Sequence, residues 1–301
     1  QLNDRVAFGS SAVREAFEAN FDQHGEVGAA FSVYVDGEAV VDLTGGTRTD
    51  GSPYDEATLQ MVFSSTKGAT AACAHLLAQR GELDLDAPVA DYWPEFARGG
   101  KAQVPVSWLL SHKVGLVDTE ARLTYEDMLD WDTVASAPAE STPLWEPGTQ
   151  HGYHAVTYGW LIGEVVRRVS GMSLGEYFRR EVADPLGLDF WIGLPAEEHP
   201  RVSSLIPMTP PEGLSTAGGD TDTGSGARAP TGLVEMLDIL LGPGNLAGRA
   251  LSAPGGAAAD EQIWNDPRTL SAQIPAANGV TNAKSLARMY ASMVGNVDGV
   301  Q

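Results

Sequence analysis

A stretch of small side chains that follows an apolar triplet constrains this chain more than any other feature. Residues 65–81 are rich in alanine and close on Gly81, which is typical of a helix that ends at a glycine. Side chains this small suit a helix that is buried on all sides. The apolar residues 61–63 come directly before it and indicate the end of a β-region. The sequence therefore predicts a strand-to-helix junction in the core, with Ser64 at the junction.

This junction carries a serine and a lysine three positions apart. In the run Ser64-Ser65-Thr66-Lys67, that spacing puts Ser64 and Lys67 on the same side of the first helical turn. The start of a helix offers unpaired N–H groups and a positive dipole end, which favour an oxyanion beside Ser64. A partly desolvated lysine there should have a lowered pKa and act as a base at neutral pH. The motif by itself is common, and a serine that merely caps a helix explains it equally well.

Hydrophobic periodicity and turn signals predict the remaining elements. The predicted helices and strands are an amphipathic helix at 4–24, a hairpin at 28–46 that turns at Asp36-Gly37, a short helix at 105–115, two longer helices at 154–170 and 173–188, and a last helix capped by Asn282. Residues 207–231 and 242–260 are rich in glycine and also contain proline. This composition predicts one loop-rich segment over 207–260.

Composition narrows the classes of function. The chain has 301 residues, enough for one large domain or two subdomains with a site between them, and its net charge of −21 disfavours nucleic acid and anionic membranes as partners. The single cysteine, Cys73, excludes an internal disulfide and a cysteine-based zinc site, and we expect it to be a small buried hydrophobe. No membrane-spanning run and no signal peptide are visible, so the expected location is cytoplasmic.

Several short motifs occur in a characteristic order, beginning with the one that contains Ser64. They are Met61 to Gly68 (MVFSSTKG), Gly81 to Val89 (GELDLDAPV), Tyr92 to Phe96 (YWPEF), Leu109 to Leu116 (LLSHKVGL), and Pro147-Gly148 leading to Tyr153. From about residue 5 to residue 294, this succession resembles the serine β-lactamase and penicillin-binding-protein superfamily. It is most similar to the esterase branch, the family VIII carboxylesterases, and to LACTB-like proteins.

The resemblance implies a fold and a domain organisation. The fold is an α/β (α+β) fold of the β-lactamase/transpeptidase type, in which an antiparallel sheet is flanked by helices and joined to a helical subdomain. Residues 1–301 would form a single catalytic domain, with the helical subdomain at about 85–200.

The resemblance also implies a second motif, Tyr-x-Asn, whose place is taken by Tyr153-His154-Ala155. A phenol close to Lys67 can share its proton and relay it to a leaving alcohol, so Tyr153 is the third candidate catalytic residue. Ala155 departs from the family pattern, because alanine cannot hydrogen-bond the amide of a β-lactam. That departure favours an ester substrate.

The family's third motif, on a late strand, is absent from the chain. We therefore expect the chain to be a fragment, with the last sheet strands and one oxyanion donor lying beyond Gln301. On this view the hairpin at 28–46 would find its sheet partners only in that missing part, because two strands alone are marginal in water.

Other motif-like residues receive ordinary structural interpretations. Ser173 lies in a G-x-S-x-G pattern, but a helix precedes it, and Ser173 with Glu176 is typical of a capping box. Asp222 lies in an Asp-Thr-Gly-Ser run among loop residues and indicates a solvated loop. None of the six histidines is paired as in a zinc helix, so no metal site is predicted, and His112 is expected to tie down a helix end.

The predicted function is hydrolysis of a small-molecule carboxylic ester through an acyl-Ser64 intermediate, without metal or organic cofactor. Phe63 and His154 are candidate substrate contacts because they adjoin Ser64 and Tyr153. Two alternatives stay open. One is a β-lactamase or D-alanyl-D-alanine carboxypeptidase, and the other is a non-catalytic, self-assembling LACTB-like protein in which Ser64 is only a cap.

Overall fold

The computed structural model describes residues 3–6, 11–206 and 245–300. The strands are β1 (Asn3–Val6), β2 (Gly28–Val35), β3 (Glu38–Gly46), β4 (Gln60–Met61), β5 (Phe190–Ile192) and β6 (Gly279–Thr281). The α-helices are α1 (Ser11–His24), α2 (Thr66–Gln79), α3 (Val89–Tyr92), α4 (Val106–Leu110), α5 (Tyr125–Leu129), α6 (Trp131–Glu140), α7 (Thr157–Ser170), α8 (Leu174–Phe178), α9 (Asp184–Leu186), α10 (Leu246–Ser252), α11 (Pro267–Ser271) and α12 (Ala283–Val294). None of the helices in these ranges is long and apolar enough to cross a membrane.

The predicted hairpin is confirmed, with β2 and β3 pairing antiparallel from Val35 opposite Glu38 to Gly28 opposite Gly46. Asp36 and Gly37 both have positive φ angles, of 50° and 82°, as the tight turns that match strand twist require. The two strands thus form the hairpin that the Asp-Gly signal indicated.

A third strand, β1, pairs antiparallel with the other side of β3, so the sheet order is β1-β3-β2. The prediction of one helix over 4–24 is therefore wrong at its start, because residues 3–6 are a strand and the helix begins at Ser11. The pairing of β1 with β3 also contradicts the expectation that the hairpin finds sheet partners only beyond Gln301, whereas further partners for the edge strand β2 stay a prediction. Pairing with a distant strand edge leaves no trace in local periodicity, which is why the sequence did not reveal it.

A second small sheet, ordered β4-β6-β5, joins three distant parts of the chain. Its central strand pairs antiparallel with both neighbours, and Thr281 lies opposite Gln60 on one side and Phe190 on the other. β4 ends just before Ser64, so this sheet fixes the point at which the chain enters α2.

The alanine-rich helix α2 is buried on one face, so the prediction of burial on all sides is wrong for the opposite face, where His75 and Gln79 are exposed. Ala69, Cys73 and Leu77 have no exposed surface, and α2 packs against α7 and α8. Cys73 is a buried hydrophobe, and burial raises the pKa of its thiol. The main core cluster includes the buried face of this helix together with Trp93, Phe96, Leu109, Ile162, Val165, Val166, Tyr177, Phe178 and Phe190.

The other predicted helices are present with shorter bounds. The helix expected at 173–188 is divided into α8, a π-helical turn at Arg179–Ala183, and α9. Helices dominate residues 89–186, whereas the assignment of 85–200 as a separate subdomain stays a prediction. The last helix, α12, begins after Asn282, whose side chain accepts a hydrogen bond from the Ser285 amide.

The loop-rich segment predicted over 207–260 agrees with the structure only in part. Residues 207–244, which include the Asp222 motif, lie outside the described residues. Within the remainder, α10 is a helix, so the loop prediction is wrong there. Asn245 caps this helix by accepting a hydrogen bond from the Gly248 amide, and Ala250 packs into a core cluster, so tertiary burial stabilises a helix too short to be recognised by periodicity.

Candidate active site

Ser64 lies in a 3-10 turn, Phe63–Ser65, between β4 and α2. Two hydrogen bonds to the backbone of Gly279 hold the chain on both sides of this turn. The Val62 amide donates to the Gly279 carbonyl at 2.9 Å, and the Gly279 amide donates to the Thr66 hydroxyl oxygen at 2.9 Å. A Cβ at position 279 would lie 2.5 Å from the Thr66 hydroxyl oxygen, so a glycine permits this close approach. The turn that carries Ser64 is thus fixed against β6.

The Ser64 side chain does not cap α2. The N-cap of α2 is Ser65, and its side chain makes no capping hydrogen bond. Ser64 is exposed, and its Oγ lies 3.0 Å from the Nζ of Lys67 and 2.7 Å from the hydroxyl oxygen of Tyr153. The hydroxyl therefore has two functional neighbours that a simple capping serine would not need.

Lys67 is buried, with 8% of its surface exposed, at the start of α2. Besides Ser64, its Nζ donates to the carbonyl oxygens of Ala155 at 2.6 Å and Ala276 at 2.9 Å. Burial lowers the pKa of Lys67, and the neighbouring Tyr153 only partly opposes that effect. The amine thus loses its proton more readily than an exposed lysine.

Tyr153 reaches the same point from a distant part of the chain. Its hydroxyl donates to Ser64, and its ring centroid lies 4.9 Å from the Nζ of Lys67. Burial on its own would raise the pKa of Tyr153, but the contacts of its hydroxyl with Ser64 and Lys67 outweigh burial and lower that pKa. The structure therefore brings together Ser64, Lys67 and Tyr153, and the proton-bearing atoms of all three lie within one hydrogen-bonded group.

Position 155 contributes backbone to this group and no polar side chain. The Ala155 carbonyl accepts from Lys67, and its methyl group is almost fully buried. The site therefore holds no carboxamide at the place where the sequence resemblance would put one.

The two candidate substrate contacts lie in different environments. The Phe63 ring is 40% exposed beside Ser64 and meets the Trp264 ring edge-on, with centroids 5.5 Å apart. His154 is fully buried: its Nε2 accepts from the Leu116 amide at 3.0 Å, and its Nδ1 lies 2.6 Å from the Gly152 carbonyl oxygen. With both nitrogens engaged and no exposed surface, His154 does not face a substrate, and its position contradicts the role of substrate contact.

The motif around Ser173 has the structural role that its sequence indicated. Gly171 ends α7 with a φ of +73°, and the Ser173 side chain and Glu176 form a reciprocal capping box at the start of α8. Within residues 3–6, 11–206 and 245–300, no group of three or more His, Cys, Asp or Glu side chains is arranged to hold a metal ion.

Two features of the site were not predicted from the sequence. One is the pair of backbone carbonyls that hold Lys67, and the other is the contact of the His112 ring with the His154 amide. A carbonyl ligand such as that of Ala276 has no side-chain signature. His112 does follow helix α4, as expected, but its ring also reaches the loop that carries Tyr153, where its Nδ1 accepts from the His154 amide at 3.1 Å. The run Leu109 to Leu116 is part of the family resemblance, but nothing in it indicates that contact.

The chain is similar to known proteins along most of its length. A sequence model described as Beta-lactamase matches residues 13–299. An esterase/beta-lactamase, LipL, from Mycobacterium tuberculosis is 35% identical over 297 residues, which cover 97% of this chain and 64% of the relative. The chain thus spans less than two thirds of the length of that relative.

Two solved structures share both sequence and fold with the chain. One is a family VIII carboxylesterase and the other is a penicillin-binding protein homolog from Caulobacter crescentus. Each has a TM-score of 0.79 and 36% identity, with 99% of this chain and 73% of the other covered. The expected β-lactamase-like fold is therefore confirmed.

Proposed function

Because the chain belongs to the β-lactamase family, we propose that it is a serine hydrolase that cleaves carboxylic esters through an acyl-enzyme on Ser64. The observation that carries this proposal is the Ser64 hydroxyl, which lies within hydrogen-bonding distance of both a buried amine and a phenol. Relatives named as esterases and a similar structure of a family VIII carboxylesterase support an ester as the substrate class.

The first step follows from how the hydrogens of Lys67 are used. When neutral, its amine has two hydrogens, which the carbonyls of Ala155 and Ala276 can take, and its lone pair is then left facing Ser64. The Ser64 oxygen forms a bond to the acyl carbon as its proton passes to Lys67, and the electron pair of the C=O double bond moves onto the carbonyl oxygen. The Ser64 backbone N–H, at the start of the helix, is the proposed donor to that oxyanion.

Tyr153 then acts on the leaving group. As the bond between the acyl carbon and the alcohol oxygen breaks, the phenol donates its proton to that oxygen and regains a proton from Lys67. Water next attacks the acyl-enzyme, one of its protons passes to this pair, and Ser64 leaves as a hydroxyl. The exposed ring of Phe63 adjoins Ser64 and is the proposed contact for the apolar part of the substrate.

The matched pair Ser64→Ala and Ser173→Ala tests the proposal. With p-nitrophenyl butyrate as substrate, Ser64→Ala should lose at least about a thousandfold in kcat. Ser173→Ala should keep most of its activity, because Ser173 only caps α8. Both proteins should show the circular dichroism of the parent chain. Activity that survives in a folded Ser64→Ala variant would contradict the assignment.

A serine-directed phosphonate tests the same nucleophile without a turnover assay. Peptide mass spectrometry should place the phosphonyl group on Ser64, and prior acylation by a slow ester should block it. A chain that is neither labelled nor active would favour the non-catalytic alternative instead.

A further inference from the structure

His112 binds the backbone on both sides of Tyr153. Its carbonyl accepts a hydrogen bond from the Gly152 amide at 3.1 Å, and its ring Nδ1 accepts one from the His154 amide at 3.1 Å. Gly152 and His154 are the immediate neighbours of Tyr153. One residue therefore brackets the tyrosine that contacts Ser64.

The conformation of His112 is unusual and serves this double contact. Its φ is +59°, in the left-handed region that non-glycine residues seldom occupy. The residue directly follows the C-cap of α4, and its amide still donates to the Leu109 carbonyl at 3.3 Å. Turning left-handed there directs the carbonyl and the ring toward the same loop, whereas continuing the helix would not.

The His112 ring also packs directly on the phenol. Its centroid lies 5.1 Å from that of Tyr153 and 4.9 Å from that of Tyr158, so it lies between a ring of the site and a ring of α7. Burial and the nearby amine of Lys67 lower the pKa of His112 to about 4. The ring is therefore neutral at ordinary pH, and the hydrogen bond from the His154 amide requires the tautomer that carries its proton on Nε2 and leaves Nδ1 as the acceptor.

We propose that His112 is a positioning residue, which holds the Tyr153 hydroxyl against Ser64 by binding the chain on both sides of the tyrosine and packing on its ring. This inference rests on the proposed function, since it assigns His112 a role in the proton transfer made by Tyr153. Tyr153 is 44% exposed, so packing covers only part of its ring, and the hydrogen bonds of Gly152 and His154 to His112 hold the backbone on both sides of it.

A double-mutant cycle separates positioning from general support of the fold. His112→Ala should lower kcat for p-nitrophenyl butyrate by about 10- to 100-fold, with little change in KM, because a displaced catalytic group slows the chemical step. In a Tyr153→Phe background, the same substitution should change kcat by less than about twofold, since the group that it positions is already gone. Equal losses in the two backgrounds would overturn the proposal.

His112→Asn is the matched conservative variant. The Oδ1 of asparagine can take the place of Nδ1 as acceptor, and asparagine tolerates a positive φ. This variant should recover most of the kcat that His112→Ala loses, and melting temperatures of all variants show whether each is folded. An asparagine variant that is folded but no better than the alanine variant would argue against the ring nitrogen as the active feature.

A spectroscopic titration tests the inference even if ester hydrolysis is not observed. The tyrosinate absorbance is measured against pH for the parent and for Tyr153→Phe. The difference between the two titration curves gives the pKa of Tyr153. That pKa is lowered by contact with Ser64 and Lys67, so a displaced phenol in His112→Ala should titrate at higher pH, whereas His112→Asn should leave the value near that of the parent. An unchanged Tyr153 pKa in His112→Ala would overturn the proposal whatever the activity of the chain.

Discussion

In the proposed mechanism, the protonation state of the Lys67 amine decides whether Ser64 can react. Lys67 donates to Ser64 and to two carbonyls, so a protonated Lys67 has all three hydrogens in use and no lone pair for the serine proton. Because burial lowers its pKa, the neutral form becomes available below the pH at which an exposed lysine loses its proton.

The proposed role of Lys67 predicts the acid side of the pH profile. For a short ester, kcat/KM should rise with pH as Lys67 loses its proton, and the midpoint should lie below 10.5, the ordinary pKa of lysine. Measurement of kcat/KM against pH, corrected for spontaneous hydrolysis, checks this. Lys67→Arg is the control, since arginine keeps the charge but cannot lose it, and the variant should be inactive throughout. A profile with its midpoint at or above 10.5 would contradict the lowered pKa.

The missing carboxamide at position 155 predicts a preference for esters. A hydrogen bond withheld from a buried amide costs about 1–3 kcal/mol, or about 5- to 150-fold in rate. The parent chain should therefore hydrolyse p-nitrophenyl butyrate with a kcat/KM about 5- to 150-fold above its value for nitrocefin. Ala155→Asn should narrow that ratio by raising nitrocefin turnover. Similar kcat/KM values for the two substrates in the parent would count against the ester assignment.

At the scale of elements, the site depends on the close contact of α7 with residues 274–278. Thr70 of α2 donates to the Pro275 carbonyl, and Lys67 donates to the Ala276 carbonyl. This segment can lie there because α7 has a glycine at position 159, where a Cβ would be 2.5 Å from the Ala276 amide nitrogen. Helix packing thus sets the position of a carbonyl that holds the Lys67 amine.

Gly159→Ala tests this coupling of packing and chemistry. The new methyl group meets backbone, which cannot rotate away, so we expect a loss of about 1–3 kcal/mol in the free energy of unfolding despite the better helix propensity of alanine. Because the Ala276 carbonyl would move from Lys67, kcat should fall as well. Gly295→Ala is the matched control, since a Cβ there meets nothing within 4 Å. If Gly159→Ala is as stable and active as the control, the contact has no such role.

At the scale of the whole molecule, one of the few lysines lies in the core, far along the chain from the site. Lys101 has no exposed surface, donates to the Ser141 carbonyl at 2.5 Å and lies 5.3 Å from the Phe96 ring centroid. Burial lowers its pKa to about 8, although Glu120 opposes the shift. In the unfolded chain the pKa of Lys101 returns to its ordinary value of 10.5, so proton binding at Lys101 is linked to folding.

The sign of this linkage predicts greater stability at higher pH. Between pH 8 and 10.5 the unfolded chain binds the Lys101 proton more tightly than the folded chain, so the free energy of unfolding rises with pH in that window. Lys101→Met cannot titrate at this position. Relative to that variant, the free energy of unfolding of the parent should increase by up to about 3 kcal/mol between pH 8 and 10.5. Urea unfolding of both proteins at several pH values measures the difference, and parallel curves for the two proteins would disprove the linkage.

The sequence by itself determined the features that depend on neighbours along the chain. The hairpin followed from Asp36-Gly37, the helix α2 followed from its alanine-rich run, and the approach of Lys67 to Ser64 followed from their spacing of three. The capping box of Ser173 and Glu176 was also predicted from the sequence. Each of these depends on backbone geometry repeated within a few residues, which a sequence records directly.

Only the tertiary structure decided which distant groups complete these local units. Tyr153 was proposed from resemblance, but its contact with Ser64 joins residues 89 positions apart. The Ala276 carbonyl on Lys67, the strand β1 beside β3 and the double contact of His112 left no local pattern at all. Backbone carbonyls and amides are the same at every residue, so which of them meet is set by how the helices and strands pack, and no side-chain pattern along the sequence records it.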